Sequence, residues 1–419
     1  GGSGNSGSFS DSSDVFSTNL YKGTGSSLTV TNGIDLSGQG GLVVIRRRNP
    51  GGNAVFFDTE RGTERLLQCP ANTGAGSYSE AENTSSASGQ FMNSFNTDGF
   101  TIGTDVGNYN FNQTTGVASY AAYTFRKAPK FFDIVTYTGN GSNQAIAHNL
   151  DCEVGMIWIK RRNVSGDWVV YHRGMNSGSP ELGYVRLNHD TAFQTSTAVW
   201  NDTAPTTTHF TVASSSGGGI DLNASGGTYV AYLFAHDTDA DSIIKCGNFT
   251  VSSNVQTAGQ FFDTEFGFEP TYVTLKASSR SQEWQQFDTV RGLGYNINAT
   301  FNWNNSSNEV QSTTPNFNGF MPMSKGFLIK PSNGGYPIYN SATYVYTVIK
   351  RPMPKVSDVS GTLSGTSGST NVFYPSVANS VSGAAVYTTP NWTNNGLGTN
   401  LAPVVDMSWH TDNGGTLYQ

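Results

Sequence analysis

The residues best suited to chemistry are scattered along the chain. The six histidines are His148, His172, His189, His209, His236 and His410. No two stand at metal-ligand spacing, and neither H-x-H nor H-E-x-x-H occurs. There is no G-x-S-x-G elbow and no P-loop. A Ser-His-Asp triad assembles in space rather than in sequence, so it stays open at this point. Cys69, Cys152 and Cys246 are odd in number and far apart, which supports neither a zinc knuckle nor a disulfide framework. They read as isolated thiols behaving as small hydrophobes. The Asp-rich "HDTDADS" (236–242) offers oxygen ligands for Ca²⁺ but lacks the Gly and Glu of an EF-hand loop, so it reads as a linker. These patterns point to no metal, no cofactor and no catalytic residue.

Carboxylates beside arginine recur. "FFDTERG" (56–62) holds Asp58, Glu60 and Arg61, and "QFDTVRG" (286–292) holds Asp288 and Arg291. The corresponding "VVYHRG" (169–174) carries Tyr171 and His172 instead. A glycosidase needs two carboxylates facing each other across a sugar, and a pair shared by equivalent segments would appear in each. The pattern fits better with Arg61, Arg173 and Arg291 each tying down a turn through carboxylate or carbonyl hydrogen bonds. "IRRR" (45–48) and "IKRR" (159–162) read as solvated strand ends entering hairpins, with a phosphate or acidic-glycan site as the alternative. A third copy has "LKAS" (275–278) at that place, so the fold is not expected to require charge there. Trp200, Trp303 and Trp392 lie in polar surroundings, "VWNDTAP", "FNWNNSSN" and "PNWTNNG". Aromatics beside Asn and Asp on variable loops are candidates for glycan contact, and capping the edge of a core is the structural alternative for each.

The elements that would position these residues repeat. "ASYAAYTFRKAP" (118–129), "GGTYVAYLFAHD" (226–237) and "ATYVYTVIKRPMP" (342–354) align on Tyr120, Tyr229 and Tyr344, about 110 residues apart. "GGLVVIRRRN" (40–49), "VGMIWIKRRN" (154–163) and "PTYVTLKASS" (270–279) follow the same offset. So do "DGFTIG" (98–103), "THFTVA" (208–213) and "KGFLIK" (325–330). A period this long marks whole domains, not solenoid turns. In "GMIWIKRR" (155–162), Met156, Trp158 and Lys160 point one way and Ile157, Ile159 and Arg161 the other, the period of a strand. "NVSGD" (163–167) reads as a hairpin connection.

With 36% hydrophobic and 13% charged residues, 49 glycines and 12% aromatics in 419 residues, the chain suits an all-β protein with many turns. The expected fold is a tandem array of β-sandwich, jelly-roll-like domains of about 110 residues with little or no helix. The expected divisions are a Gly/Ser-rich leader (1–15), repeats at 16–129, 130–240 and 241–354, and a Ser/Gly-rich linker (355–419). The linker would hold the start of a partial fourth repeat from near residue 360. In "GTYVAYLFA" (227–235) both alternating sets are apolar, which predicts a strand covered on both faces and a buried Tyr232. The net charge of −7 argues against nucleic acid as a partner. No run of 18 apolar residues is present. Gly1 in place of Met fits a piece of a longer or processed chain.

The order "YTGNG … GMIWIKRR … DWVVYHRG … VWNDTAPTTTHFTV … NASGGTYVAYLFAHD … DSIIKCGNF … GFEP … IKRPMP" resembles the tandem repeats of tail and tail-fibre structural proteins of tailed bacteriophages, familiar from marine and cyanobacterial phages. The resemblance covers about residues 16–355, and its most specific parts are "WNDTAPTTTHFTV", "GGTYVAYLFAHD" and "KRPMP". It implies a β-rich virion appendage with no enzyme activity and no catalytic residues to transfer. The expected function is that of a structural spacer and host-surface glycan adhesin. Its partners would be other virion proteins and a cell-surface glycan, and it would assemble as a homo-oligomer, a trimer by analogy with other fibres. The alternatives are a polysaccharide depolymerase and a bacterial surface adhesin or extracellular filament protein.

Overall fold

Alternating and doubly apolar runs become strands almost throughout, in a computed structural model of the chain. The structure describes residues 11–70, 80–85, 87–114, 118–214, 219–253, 260–262, 264–293, 299–311, 319–330, 338–352, 410–411 and 417–418. The first segment contains β1 (Phe16–Lys22), β2 (Leu28–Thr31), β3 (Gly41–Asn49), β4 (Ala54–Asp58), β5 (Arg65–Cys69), β6 (Asn83–Thr84), β7 (Met92–Asn96), β8 (Gly99–Ile102) and β9 (Ser119–Arg126). The second contains β10 (Phe132–Thr138), β11 (Gln144–Ala147), β12 (Glu153–Arg161), β13 (Trp168–His172), β14 (Gly183–Arg186), β15 (Gln194–Thr195), β16 (His209–Val212) and β17 (Thr228–His236). The third contains β18 (Ile244–Thr250), β19 (Gln260–Phe262), β20 (Pro270–Ala277), β21 (Gln285–Asp288), β22 (Ala299–Asn302), β23 (Val310–Gln311), β24 (Gly319–Pro322), β25 (Phe327–Lys330) and β26 (Thr343–Lys350). Helix is limited to single short turns such as Leu36–Gln39. The fold is all-β.

Each segment builds a six-stranded antiparallel sheet of one strand order: β1-β9-β3-β4-β5-β6, β10-β17-β12-β13-β14-β15 and β18-β26-β20-β21-β22-β23. Smaller sheets accompany them, β2-β8-β7, β11-β16 and β19-β25-β24. The sequence boundaries at 129/130 and 240/241 fall between β9 and β10 and between β17 and β18.

Alternation along each strand feeds two cores. On β9, Tyr120 and Ala122 join Val30, Phe100 and Ile102 of the small sheet. Ala121, Tyr123 and Phe125 point to the other face and join residues of the second and third segments. The third segment divides alike: Tyr344, Tyr346 and Val348 pack on Phe320 and Phe327, whereas Val345 and Ile349 enter the shared core. The long sheets are thus buried on both faces, which is why their strands read as continuous apolar runs. In the shared core Trp158 lies 5.9 Å from Trp303, Tyr123 lies 6.1 Å from Trp303, and Phe56 lies 6.3 Å from Trp158, ring centre to ring centre. Three aromatic contacts therefore link segments one, two and three pairwise.

Residues 1–352 form one compact unit and Met353–Gln419 a second. Within the second, β27 (His410–Thr411) pairs antiparallel with β28 (Leu417–Tyr418). The expected start of a fourth repeat otherwise lies outside the described residues. The ends of the first unit meet: Ser12 Oγ donates to Lys350 O at 2.6 Å. The three segments close on one another and do not extend as a string.

Candidate functional site

Strand register fixes which positions correspond. Leu42 pairs with Asp58, Met156 with His172 and Tyr272 with Asp288, so Asp58, His172 and Asp288 are equivalent. Tyr123, Tyr232 and Thr347 are equivalent through their pairing with Val44, Trp158 and Thr274. Arg46, Lys160 and Lys276 are equivalent through Ala121, Val230 and Val345. All nine side chains are buried and lie where one segment meets another.

Tyr232 is fully buried, as its strand pattern predicts. Its hydroxyl donates to Asp58 Oδ2 at 2.7 Å, joining segments two and one. Tyr123 donates to Asp288 Oδ2 at 2.9 Å, joining segments one and three. Each aspartate also closes its own turn. Asp58 accepts the Arg61 amide at 2.8 Å and the Arg61 Nε, and Asp288 accepts the Arg291 amide at 2.9 Å and the Arg291 Nε. Burial alone would lower the pKa of Arg61, but Asp58, Tyr232 and Glu82 together more than offset it and hold the guanidinium charged. Arg61 and Arg291 thus tie their turns as the sequence suggests. Arg173 does so differently, bonding Glu153 at 2.7 Å and Cys246 O at 3.2 Å, because His172 replaces the aspartate.

At the junction of segments two and three, a ring nitrogen of His172 meets Tyr346 O at 2.9 Å. Burial pushes the His172 pKa down to about 3, so the ring is neutral near pH 7. A carbonyl only accepts, so Nε2 carries the proton, and Nδ1 accepts the Gly174 amide at 3.1 Å. With both nitrogens engaged, this histidine is no general base. His189 bonds Asp167 at 3.2 Å, which also pairs with Arg186 at 2.7 Å. The recurring carboxylates are thus committed to buried ion pairs. Among the described residues no group of three His, Cys, Asp or Glu side chains could hold a metal ion. Asp239 of the Asp-rich linker pairs with Lys130.

The basic strand ends differ from expectation. Arg46, Lys160 and Lys276 are not solvated; each has 0% exposure. The third segment is no exception, because Lys276 of "LKAS" occupies the same inward position. Arg46 donates to Gly52 O within its own hairpin and to Asn305 O and Ser307 O of segment three, the last at 3.2 Å. Lys276 donates to Asp190 O of segment two at 3.0 Å and to Ala277 O at 2.8 Å. Lys160 donates to Arg161 O at 2.8 Å. Burial lowers the pKa of both lysines to about 7 and that of Arg46 to about 10. The strand direction carries the base past the sheet end into the neighbouring loop, where backbone carbonyls replace water.

Two of the three tryptophan candidates are corrected. Trp200 and Trp303 are 1% and 0% exposed, and Trp200 Nε1 donates to Gly183 O at 2.9 Å, so neither side chain can touch a glycan. Trp303 lies in the shared core. Its polar neighbours misled: Asn304 is itself buried and accepts the Trp284 amide at 3.0 Å. Trp392 lies outside the described residues. The free cysteines are as expected, with Cys69 and Cys246 buried.

Tryptophans instead dovetail the segments. Trp168 Nε1 donates to Gln68 O of segment one at 2.8 Å, and Trp284 Nε1 to Arg186 O of segment two at 2.7 Å. The position equivalent to both is Ala54, and the equivalents of Cys69 and Leu187 in segment three are occupied by Trp303. Each junction thus holds one tryptophan against a smaller residue. Glycine permits the closest approach: a Cβ on Gly51 would run into the backbone of residues 306–308 in segment three. At the turn ends, Arg162 pairs with Glu82 at 3.0 Å and Arg48 with Glu309. Burial would raise the Glu82 pKa, but bonds to Arg162 and Arg61 hold it below the usual carboxylate range.

No helix among the described residues is long and apolar enough to cross a membrane. Residues 11–351 match a family described as "Domain of unknown function (DUF7483)". No curated protein matches the chain.

Proposed function

The chain belongs to this DUF7483 family, whose description assigns no activity, and we propose that it is a structural and adhesive segment of a phage tail or tail fibre that contacts a host-surface glycan. The observation that carries the proposal is the use made of the repeated positions. Three sheets of one strand order spend their recurrent Asp, Arg, Lys and Tyr side chains on joining one another. A repeated catalytic unit would reserve a shared reactive group for substrate, whereas a scaffold reserves its chemistry for cohesion. The resemblance of "WNDTAPTTTHFTV" and "GGTYVAYLFAHD" to virion appendage repeats supports the same reading. Its location would be the virion surface, with other tail proteins as partners.

The test is mass spectrometry of purified virions from a phage encoding this chain, followed by antibody labelling of the particles. The chain should co-purify at fixed stoichiometry and label the tail. Its absence from particles would sink the proposal.

A further inference from the structure

The junction of segments three and one is built differently from the junction of segments one and two. Across the junction of one and two, Phe56 rests on Trp168 at 4.5 Å, ring centre to ring centre. The same two positions at the junction of three and one are Gln286 and Ala54, since Gln286 pairs with Thr274 as Phe56 pairs with Val44. Gln286 is fully buried, and neither polar atom of its amide has a hydrogen-bond partner among the described residues. Trp303 Nε1 is also buried and without a partner among them, whereas the indole nitrogens of Trp168, Trp200 and Trp284 all donate to carbonyls. In segment one, Arg61 closes its Nη1 on Glu82 at 3.1 Å. Glu309 is the equivalent of Glu82, because the amides of both reach the strand end of the next segment, Glu82 to Arg162 O and Glu309 to Arg48 O, each at 2.8 Å. Yet Glu309 pairs with Arg48, and Arg291 Nη1 is left without a partner among the described residues, as is Arg46 Nε.

These four side chains gather round one ring. Both guanidinium groups lie over Phe301, Arg46 at 5.4 Å and Arg291 at 4.1 Å from the ring centre. Gln286 stands opposite Phe301 in the strand pair, and Trp303, two residues on, lies on the same face. Their charges do not cancel. Asp288 balances Arg291, and Glu309 balances Arg48. Arg46 remains, with 0% exposure and hydrogen bonds that all end on backbone carbonyls, those of Gly52, Asn305 and Ser307. At the equivalent positions Lys160 and Lys276 can shed a proton, but an arginine keeps its charge. Even lowered to about 10, Arg46 is a cation near pH 7. A cation taken out of water needs an opposite charge beside it.

We infer that the junction of segments three and one binds a single small inorganic anion of the size of chloride, held by Arg46, Arg291, Gln286 and Trp303. The excess of unused donors over acceptors and the net positive charge select an anion over a water, which would offer protons of its own. Complete burial of the four side chains suits a monatomic ion taken up as the unit folds. The inference is independent of the adhesin reading: it concerns what holds the ring of segments closed, wherever the chain serves.

The experiment uses the full 419-residue chain. Urea unfolding is followed while chloride replaces gluconate at constant ionic strength, at a pH where a lysine placed like Lys160 is neutral. Once the site is filled, each tenfold rise in chloride should lower the unfolding constant about tenfold. Arg46→Lys, which copies the base of the other two junctions, should flatten this dependence. Gln286→Val, which copies Val170, should weaken chloride binding and move the onset of the dependence to higher chloride. A crystal of the parent chain grown with bromide in place of chloride should show anomalous density within hydrogen-bond reach of Arg46 Nε, Arg291 Nη1 and Trp303 Nε1. Stability indifferent to chloride, a dependence that Arg46→Lys leaves unchanged, or water in place of bromide among the four side chains overturns the inference. Bromide found only elsewhere on the chain is adventitious and overturns it as well. The crystal of the parent chain decides the matter even if Arg46→Lys does not fold.

Discussion

Two buried lysines give the unit an unusual dependence on pH. Lys160 and Lys276 are fully buried and have a pKa of about 7, where an ordinary lysine has 10.5. The unfolded chain therefore holds protons that the folded chain has released, and stability must rise with pH between these limits. The whole interval is worth ~5 kcal/mol for each lysine, at about 1.4 kcal/mol per pH unit. Below pH 7 both states are protonated and the dependence vanishes. Other groups bound the useful window. His172 and His236, lowered to about 3 and 4, stop contributing once unfolded histidine is neutral, above about pH 7.5. Burial raises the Cys69, Cys152 and Cys246 thiols, so unfolded thiolates, half formed near pH 8.5, oppose folding from the upper part of this range onward. Between pH 7.5 and 8.5 the two lysines together should add ~2 kcal/mol to the unfolding free energy. Urea titrations at pH 7.5, 8.0 and 8.5 measure this. Lys276→Met should halve the slope, and Lys160→Met with Lys276→Met should abolish it, whatever either change does to absolute stability. A flat profile in the parent chain, or an unchanged slope in the double variant, would refute buried neutral amines at the junctions.

Tyr232→Phe removes the bond to the Asp58 carboxylate and should cost ~1.5–3 kcal/mol in urea unfolding, with Tyr123→Phe costing a similar amount through Asp288; losses below ~0.5 kcal/mol would show that these bonds do not hold the junctions. Trp303→Leu should cost ~2–4 kcal/mol. Adding Ala54→Trp should recover more than half of that, since it recreates the Trp284–Leu187 pairing and offers an indole to the carbonyl that precedes position 303; the absence of any recovery in thermal unfolding would reject the dovetail. A circular permutant that joins residue 352 to residue 11 and opens at Lys130 should unfold in a single transition like the parent, because Ser12 and Lys350 already touch; a second transition in calorimetry would disprove closure. Gly51→Ala should weaken the junction of segments one and three by ~1–3 kcal/mol through its clash with residues 306–308.

Much of the architecture is legible in single strands. The two apolar sets of residues 227–235 predict a strand covered on both faces, and β17 is one, with Tyr232 fully buried. The recurring Arg-Gly predicts a tied turn, and Arg61 and Arg291 tie theirs to Asp58 and Asp288. Contacts across the junctions are not legible, because they join residues far apart in sequence whose partners differ between copies. Tyr123 meets Asp288, but the equivalent Thr347 meets Met156. Arg46, Lys160 and Lys276 were obscured by a sound prior, that charge at a strand end faces water. A signal was present all the same: a base occurs at the same inward-facing position in all three copies. Trp303 was obscured by its asparagine neighbours, one of which, Asn304, is buried as a cap on the Trp284 amide.

Closure changes what repetition means in this chain. Domains strung in series can be lost singly, each keeping its own core. Among the described residues, the face of each sheet that turns away from its small partner sheet is covered by the other two segments. Removing segment three would uncover Trp158 and Tyr123, removing segment two would take Tyr232 from Asp58, and removing segment one would take Tyr123 from Asp288. A buried carboxylate left with a missing donor costs more than the bond it lost was worth. Insertions or deletions of single segments are therefore excluded by the same contacts that stabilise all three.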